Sequence, residues 1–215
     1  DEVIVNFSLL YAYAPLLKEE EKKYENFSKS IRRRAATIGG HNMDDYPLKM
    51  HVFNRARLIK NSKNRIPYGV DLIQKYKRES WIVFTENKKQ AKEFNKIINT
   101  KGFKSALYNT DLDSTERLEN LNKFKKADLN VLVTCTALDE GFDMPEADGA
   151  LILSASSSKR QRVQRMGRVL RITENKPNAL IVTVYSSKTE FDKLMEEAKR
   201  YHKEGVPVSW KRQDR

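Results

Sequence analysis

The amino-acid sequence is poor in the residues that build disulfides, metal centres and membrane spans. Its 215 residues include one cysteine, Cys135, which excludes an intramolecular disulfide and a cysteine-rich zinc site. The three histidines, His41, His51 and His202, are scattered, so we predict no metal ligands. No apolar run approaches the roughly 18 residues of a membrane helix, and no signal peptide is recognisable. We therefore expect no membrane partner, and a cytoplasmic protein or a nuclear one in a eukaryotic cell.

The sequence also lacks the glycine-rich loops that cradle phosphates. Neither G-x-x-x-x-G-K-[ST] nor G-x-G-x-x-G occurs. No nucleophile is paired with a base, which argues against a small-molecule α/β enzyme. The first residue is Asp1 rather than methionine, so we expect the chain to be part of a longer protein.

Positive charge, by contrast, is abundant. Lys and Arg number 41 against 29 Asp and Glu, which gives a formal net charge of +12. Such an excess favours a polyanionic partner, and nucleic acid is the commonest one. A lysine-rich proteome is the alternative explanation for the same charge.

Short apolar runs alternate with amphipathic stretches from about residue 79 onward. Five runs are predicted to be strands: 81–85, 103–108, 130–134, 150–153 and 179–185. Because the runs are apolar throughout and helical patterns separate them, they predict an α/β fold in which a parallel sheet is flanked by helices. We assign residues 63–205 to this domain.

The two ends of the chain have a different pattern. Residues 1–62 are predicted to form a mostly helical N-terminal extension or inter-domain linker, with strand-like alternation at residues 3–7. Residues 206–215 are assigned to a C-terminal tail. Pro67 is expected to interrupt the chain ahead of the first strand of the sheet.

Polar residues follow the predicted strands. Thr85 and Asn87 come at the end of the first strand, Asn109 follows the second, and Thr134 ends the third. In a parallel sheet the carboxyl ends of the strands form the edge at which ligands bind. We therefore expect these four side chains at one edge of the sheet.

The segment after the fourth predicted strand is rich in arginine. If it is helical, Gln164, Arg168 and Arg171 lie at i, i+4 and i+7 and share one face, whereas Arg162 and Arg165 point elsewhere. Two guanidinium groups held on one face suit bidentate contacts with a triphosphate or a phosphodiester. A solvated basic surface helix is the alternative interpretation.

The loop after the third predicted strand contains Gly141 and Asp143. Glycine permits close approach of a ligand, and a carboxylate can accept hydrogen bonds from a ribose hydroxyl. An ordinary loop turn is the alternative. Asp139 and Glu140 are not expected to hold magnesium, because they do not follow the strand directly.

Three of these segments resemble conserved motifs of superfamily-two helicases, in the same order and at similar spacing. Residues 81–87 resemble motif IV and residues 134–145 resemble motif V. Residues 164–171 fit the motif VI pattern Q-R-x-G-R-x-x-R. The resemblance covers roughly residues 62–203, the second RecA-like domain. Residues 61–66, with parts of motifs V and VI, look most like the XPB-like branch.

The resemblance implies a role for each matching residue. Arg168 and Arg171 would reach the γ-phosphate of ATP as arginine fingers, with Gln164 near the phosphates. Gly141 and Asp143 would contact the ribose. Contacts with a nucleic-acid backbone would fall on Thr85, Asn87, Asn109, Thr134 and Arg165. The chain departs from the family at residues 108–110, Tyr-Asn-Thr, where many members carry His-Gly.

The resemblance also implies the function of the intact protein. The chain would be the C-terminal half of an ATP-dependent helicase or translocase that acts on nucleic acid, with DNA favoured over RNA. A first RecA-like domain would be its partner, would complete the ATP site and would hold Mg²⁺. The chain alone is therefore predicted to hydrolyse no ATP. The alternative function is a non-catalytic nucleic-acid-binding or protein-interaction module that retains the fold.

Overall fold

The computed structural model describes residues 7–135, 147–154 and 179–212. Within these ranges the strands are β1 (Phe7–Tyr13), β2 (Trp81–Thr85), β3 (Ser105–Tyr108), β4 (Val131–Cys135), β5 (Gly149–Ile152), β6 (Ala179–Tyr185) and β7 (Val208–Arg212). The helices are α1 (Lys18–Thr37), α2 (Tyr46–Lys60), α3 (Arg65–Tyr76), α4 (Lys88–Thr100), α5 (Ser114–Lys125) and α6 (Lys188–Lys203). None of these helices is both long and apolar enough to cross a bilayer.

The strands form one sheet in the order β3-β4-β2-β5-β6-β1-β7, and every neighbouring pair is parallel. Strands β2, β4, β5 and β6 are buried along their whole length. Full burial on both faces explains why their sequences are apolar throughout rather than alternating. The predicted α/β fold, a parallel sheet flanked by helices, is confirmed.

Two apolar cores lie on opposite faces of the sheet. On β2, Ile82 and Phe84 point to the core that α5 and α6 cover, whereas Trp81 and Val83 point to the core that α3 and α4 cover. This division follows from the two-residue period of a strand. The helices thus hold both faces of the sheet, which leaves the ends of the strands as the place for a site.

The two segments assigned outside the domain each contribute a strand to the sheet. Strand β1 lies between β6 and β7, and its residues Leu9 to Tyr13 pair with the whole of β7. Strand β1 is largely buried. It overlaps the predicted alternation at residues 3–7 only at Phe7, and the rest of the strand is the apolar run that follows. Strand β7 is short and partly exposed, so its sequence lacks the apolar run that predicts a buried strand.

The expected interruption at Pro67 is wrong. Helix α3 starts at Arg65 and runs through Pro67 to Tyr76. Because the N–H groups of the first helical turn have no partner within the helix, a proline there removes no hydrogen bond. Pro67 therefore lies at the start of a helix rather than at a break.

Close packing at the start of the sheet requires a glycine. Trp81 and Gly149 are neighbours in the register of β2 and β5. A Cβ atom placed on Gly149 would lie 2.5 Å from the indole ring of Trp81. The absence of a side chain on Gly149 is what allows the fully buried indole to lie across β5.

Arg65, at the start of α3, is the most heavily bonded buried side chain in the described structure. It has no exposed surface. Its Nη1 donates to the carbonyl oxygens of Leu153 (2.8 Å) and Val184 (2.6 Å), at the ends of β5 and β6. Its Nε donates to the carbonyl oxygen of Ile59 (2.9 Å) and to Ser62 Oγ (3.1 Å). All of these partners lie at the carboxyl end of the sheet.

The charge of Arg65 is balanced by Glu190. Arg65 Nη2 donates to Glu190 Oε1 (2.8 Å) and Oε2 (2.7 Å), a bidentate pair. Glu190 lies in the first turn of α6, where the helix dipole favours a carboxylate, and it also accepts from the backbone N–H of Ser186 (2.8 Å). With these bonds every N–H of the guanidinium has an acceptor. The pair joins α2, α3, β5, β6 and α6.

We expect Arg65→Ala to lower the free energy of unfolding by about 3–5 kcal/mol, because it leaves the Glu190 carboxylate buried without a cation. Urea unfolding followed by circular dichroism measures this loss. Lys188→Ala is the control, since the Lys188–Asp192 pair lies on α6, the helix that carries Glu190, and is exposed and spans 3.7 Å. That variant should change stability by no more than about 0.5 kcal/mol. Equal losses in the two variants would contradict the role given to Arg65.

Candidate functional site

The structure describes four of the predicted site residues, and all four lie at the carboxyl edge of the sheet. Thr85 and Thr134 are in β2 and β4, Asn87 precedes α4, and Asn109 follows β3. The other predicted residues lie outside the described part of the chain: Gly141, Asp143, Gln164, Arg165, Arg168 and Arg171. Their assignments stay predictions.

Thr85 and Thr134 are brought together by the pairing of β2 with β4. The Thr85 hydroxyl donates to the carbonyl oxygen of Thr134 (3.0 Å) and lies 3.2 Å from the carbonyl oxygen of Asn87. Thr85 is 1% exposed and Thr134 is 0% exposed. Both side chains therefore lie inside the protein, where they support the edge of the sheet and are not accessible to a ligand.

Asn87 is half-buried, and both polar atoms of its side-chain amide form hydrogen bonds. Its Oδ1 accepts from the backbone N–H of Gln90 (3.0 Å), which caps α4, and its Nδ2 donates to Asn61 Oδ1 (2.8 Å). Asn61 follows the last residue of α2. The side chain of Asn87 therefore joins the loop after β2 to the end of α2.

Two further contacts strengthen the same junction. Lys60 Nζ lies 2.6 Å from Glu86 Oε1. Gln90 Nε2 donates to the carbonyl oxygen of Lys60 (2.8 Å), and Gln90 Oε1 accepts from the backbone N–H of Glu86 (3.0 Å). The loop that resembles motif IV is thus held against α2 by Lys60, Glu86 and Gln90, which belong to no predicted site.

Asn109 differs from the other three because part of its side chain lacks a partner. Asn109 is 3% exposed, and its Oδ1 accepts from the backbone N–H of Asp111 (2.9 Å). Its buried Nδ2 has no hydrogen-bond partner among the residues that the structure describes. A buried donor without an acceptor costs about 1–3 kcal/mol.

Three charged side chains at this edge, those of Lys88, Lys92 and Asp111, contact one another. Lys88 and Lys92 lie on successive turns of α4, and both reach the carboxylate of Asp111. Lys92 Nζ lies 3.0 Å from Asp111 Oδ2, and Lys88 donates to Oδ1. The hydrogen bonds from Lys88 and then Lys92 lower the pKa of Asp111. The i, i+4 spacing of the lysines directly after the helix cap was the available sequence signal.

The described part of the chain holds no group of three or more His, Cys, Asp or Glu side chains that could bind a metal ion.

Comparison with known sequences shows what this arrangement is similar to. Residues 64–173 match the family described as the helicase conserved C-terminal domain. DNA 3'-5' translocase XPB2 of Sulfurisphaera tokodaii is 29% identical over 202 residues, which cover 86% of this chain and 44% of the relative. UvrABC system protein B of Fusobacterium nucleatum is 31% identical over 125 residues, covering 55% of this chain and 19% of that protein. The chain thus spans less than half the length of these two relatives.

Solved structures share the fold at lower sequence identity. The C-terminal domain of Dbp5 from S. cerevisiae has a TM-score of 0.58 at 16% identity, with 97% of this chain and 92% of that chain covered. The DEAD-box protein SrmB of E. coli has a TM-score of 0.59 at 13% identity, with 98% and 92% covered. These similarities establish the RecA-like fold.

We expect Asn87→Ala to destabilise the protein by about 1 kcal/mol, because it removes the cap of α4 together with the hydrogen bond to Asn61. Asn87→Asp keeps an oxygen that can cap the helix and loses only the donor to Asn61. Urea unfolding should therefore show a smaller decrease in the free energy of unfolding for Asn87→Asp than for Asn87→Ala. If both substitutions cost the same, the cap is not what Asn87 contributes.

Proposed function

Because the chain belongs to the helicase conserved C-terminal domain family of superfamily two, we propose that it forms the second RecA-like half of an ATP-dependent helicase or translocase. The observation that carries the proposal is the span of the family match. Residues 64–173 include every residue assigned to ATP or nucleic acid, from Thr85 to Arg171. The family match thus includes all three segments that resemble motifs IV, V and VI.

The proposed ATP site lies between this chain and a first RecA-like domain. Arg168 and Arg171 donate to the transferring phosphoryl group and stabilise its developing charge, and Gln164 lies near the phosphates. Gly141 and Asp143 hold the ribose. Mg²⁺ neutralises phosphate charge in such sites, and we assign it to the first domain. Arginine fingers of this kind raise the rate by about 10³–10⁵.

The proposed nucleic-acid path follows the carboxyl edge of the sheet. In the described structure Thr85 and Thr134 lie beneath that edge, whereas Asn87 and the lysines of α4 are accessible. The net charge of +12 supports a polyanionic partner. Closure of the cleft around ATP moves this edge relative to the first domain, and reopening after hydrolysis returns it, which steps the strand.

We propose DNA rather than RNA as the substrate. The relative that covers 86% of this chain is named a DNA translocase. A relative named ATP-dependent RNA helicase DBP3, from Ajellomyces capsulatus, is 28% identical over 166 residues, with 74% of this chain and 32% of that protein covered. Both classes thus occur among the relatives, and the larger coverage favours DNA.

In a protein that carries both RecA-like domains, Arg171→Ala should lower nucleic-acid-stimulated ATP turnover by about 10³-fold or more, because a charge stabiliser of the transition state is lost. Arg162→Ala is the matched control and should keep most of the turnover. Steady-state ATPase assays with folding checked by circular dichroism measure both. Near-normal turnover of a folded Arg171→Ala protein would refute the finger assignment. A two-domain wild-type protein with no stimulated turnover would favour the non-catalytic module.

The choice of DNA is tested by binding. The 215-residue chain should bind a DNA oligonucleotide more tightly than RNA of the same sequence, and both affinities should fall as salt rises, since cation–phosphate contacts release counterions. Fluorescence anisotropy across a salt series measures both. Tighter binding of RNA would reverse the proposed preference.

A further inference from the structure

We propose that the exposed face of α2 is a docking surface for an acidic amphipathic helix of a partner protein. We call this face the α2 stripe. It consists of Met43, just before the helix, and of Tyr46, Met50 and Phe53 within it. The stripe lies outside residues 64–173, where every residue proposed to contact ATP or nucleic acid is found. Its test is therefore independent of the proposed function.

Helices α1 and α2 form an arm that is attached to the sheet at one end. The two helices pack mainly against each other. Their hydrogen bonds to the rest of the domain lie at the start of α1 and the end of α2, where Glu20 accepts from the backbone N–H of Lys63 (3.0 Å) and Lys60 pairs with Glu86. Because α1 has 20 residues, the arm is about 30 Å long. The α2 stripe begins at the end far from the sheet.

The inner face of α2 is already occupied by α1. Leu48 is fully buried. The His51 ring lies against the ring of Phe27, with centroids 6.4 Å apart, and Arg55 Nη1 donates to Ser28 Oγ (3.3 Å). The stripe lies at other positions of the helical repeat, so these contacts leave it uncovered.

The exposure of the stripe is unusual within this chain. The described structure exposes seven large apolar side chains, and four of them belong to the stripe, in which Tyr46 is 70% and Phe53 is 52% exposed. Single exposed apolar residues are normal in proteins, whereas a contiguous group of them marks an interaction surface. Tyr46, Met50 and Phe53 follow one another at i, i+4 and i+7, so they form a row along the helix.

The charge of α2 determines the chemistry of the partner. The helix contains no acidic residue. Lys49 Nζ lies 5.9 Å from the centre of the Phe53 ring, and Arg57 lies one turn beyond Phe53. Both cations are exposed. An apolar row flanked by positive charge is complementary to an apolar row flanked by carboxylates.

A helix fits this row better than nucleic acid or a lipid surface does. Successive side chains of the row are one helical turn apart, about 5.4 Å along the axis, which is also the repeat of apolar side chains on a partner helix. Nucleobases stack on flat rings, and Met50 separates the two rings of the row. A helix that binds a membrane segregates its cations from its apolar face, whereas Lys49 and Arg57 lie among the apolar side chains. The flexible side chains of Met43 and Met50 adapt to the shape of a partner.

The test uses the 215-residue chain and a fluorescein-labelled synthetic peptide. The peptide has about three heptads, with leucine at the a and d positions and alanine and glutamate elsewhere. Fluorescence anisotropy should show that it binds, and a scrambled peptide of the same composition should bind about five-fold more weakly or worse, because it has no continuous apolar row. Equal binding of the two peptides, or binding of neither, would overturn the proposal.

Substitutions identify the surface that binds the peptide. Phe53→Ser should weaken binding by about ten-fold or more, because aromatic side chains near the centre of an interface are frequent hot spots. Leu118→Ser is the matched control, since Leu118 lies on α5 and is 57% exposed. It should leave binding unchanged. Both sites are exposed, so thermal unfolding should stay near that of the wild type. Equal weakening by the two substitutions would count against the α2 stripe.

The role of charge is tested by a second pair of variants. Arg57→Glu should weaken peptide binding by about five-fold near 0.1 M salt, and the effect should shrink as salt rises, because salt screens an exposed contact. Lys123→Glu makes the same change of charge at an exposed position of α5 and should have a much smaller effect. If the two variants weaken binding equally, net charge rather than the stripe attracts the peptide, and the proposal fails.

Nuclear magnetic resonance distinguishes a protein partner from other occupants. In a chain labelled with ¹³C at the methionine methyl groups, the peptide should shift the signals of Met43 and Met50 and leave that of Met195, on α6, unchanged. A single-stranded DNA oligonucleotide should shift neither of the first two, and nor should vesicles of phosphatidylserine and phosphatidylcholine. Shifts of these two signals by DNA or by vesicles would overturn the assignment of the stripe to a protein partner.

Discussion

The bonds of one buried guanidinium organise the carboxyl end of this sheet. A guanidinium without partners in the protein interior would cost several kcal/mol, so every N–H of Arg65 must find an acceptor. Those acceptors come from the end of α2, the ends of β5 and β6, and the start of α6. None of these parts can move far alone without leaving a buried donor unpaired. Leu153, one of the acceptors, is also where the chain leaves β5 toward the predicted arginine fingers.

From Arg65 the polar contacts continue along the same edge. Arg65 holds the carbonyl of Ile59 in α2, and the end of α2 holds the loop after β2 through Lys60 and Asn61. That loop contacts Thr85, which is bonded to β4. The loop after β2, the end of α2 and strands β4, β5 and β6 therefore share one frame of hydrogen bonds. If ATP and nucleic acid are to act on the domain together, as proposed, the parts that contact them need such a shared frame.

The elements that the sequence predicted well are those with strong local patterns. Strands β2 and β6 have exactly the predicted bounds, since each is an apolar run between polar turns. The places of β1 and β7 in the sheet were missed because their pairing is with distant segments, which no local pattern records. The edge position of Thr85 and Thr134 was predictable from strand ends, whereas their burial depends on how neighbouring strands pack. The ion pairs of Asp111 join α4 to the loop after β3, so the i, i+4 spacing of Lys88 and Lys92 places the two lysines together but does not identify their partner.

The position of β1 in the sheet has a consequence during synthesis. Of the seven described strands, β1 is synthesised first, whereas both of its partners, β6 and β7, are synthesised last. At roughly 5–20 residues per second, a ribosome leaves this apolar strand without partners for about ten seconds or more. Other parts of the sheet can pair earlier, since β2, β3, β4 and β5 follow one another closely. The nascent chain thus carries an unpaired apolar segment that needs shielding until β6 and β7 have been synthesised.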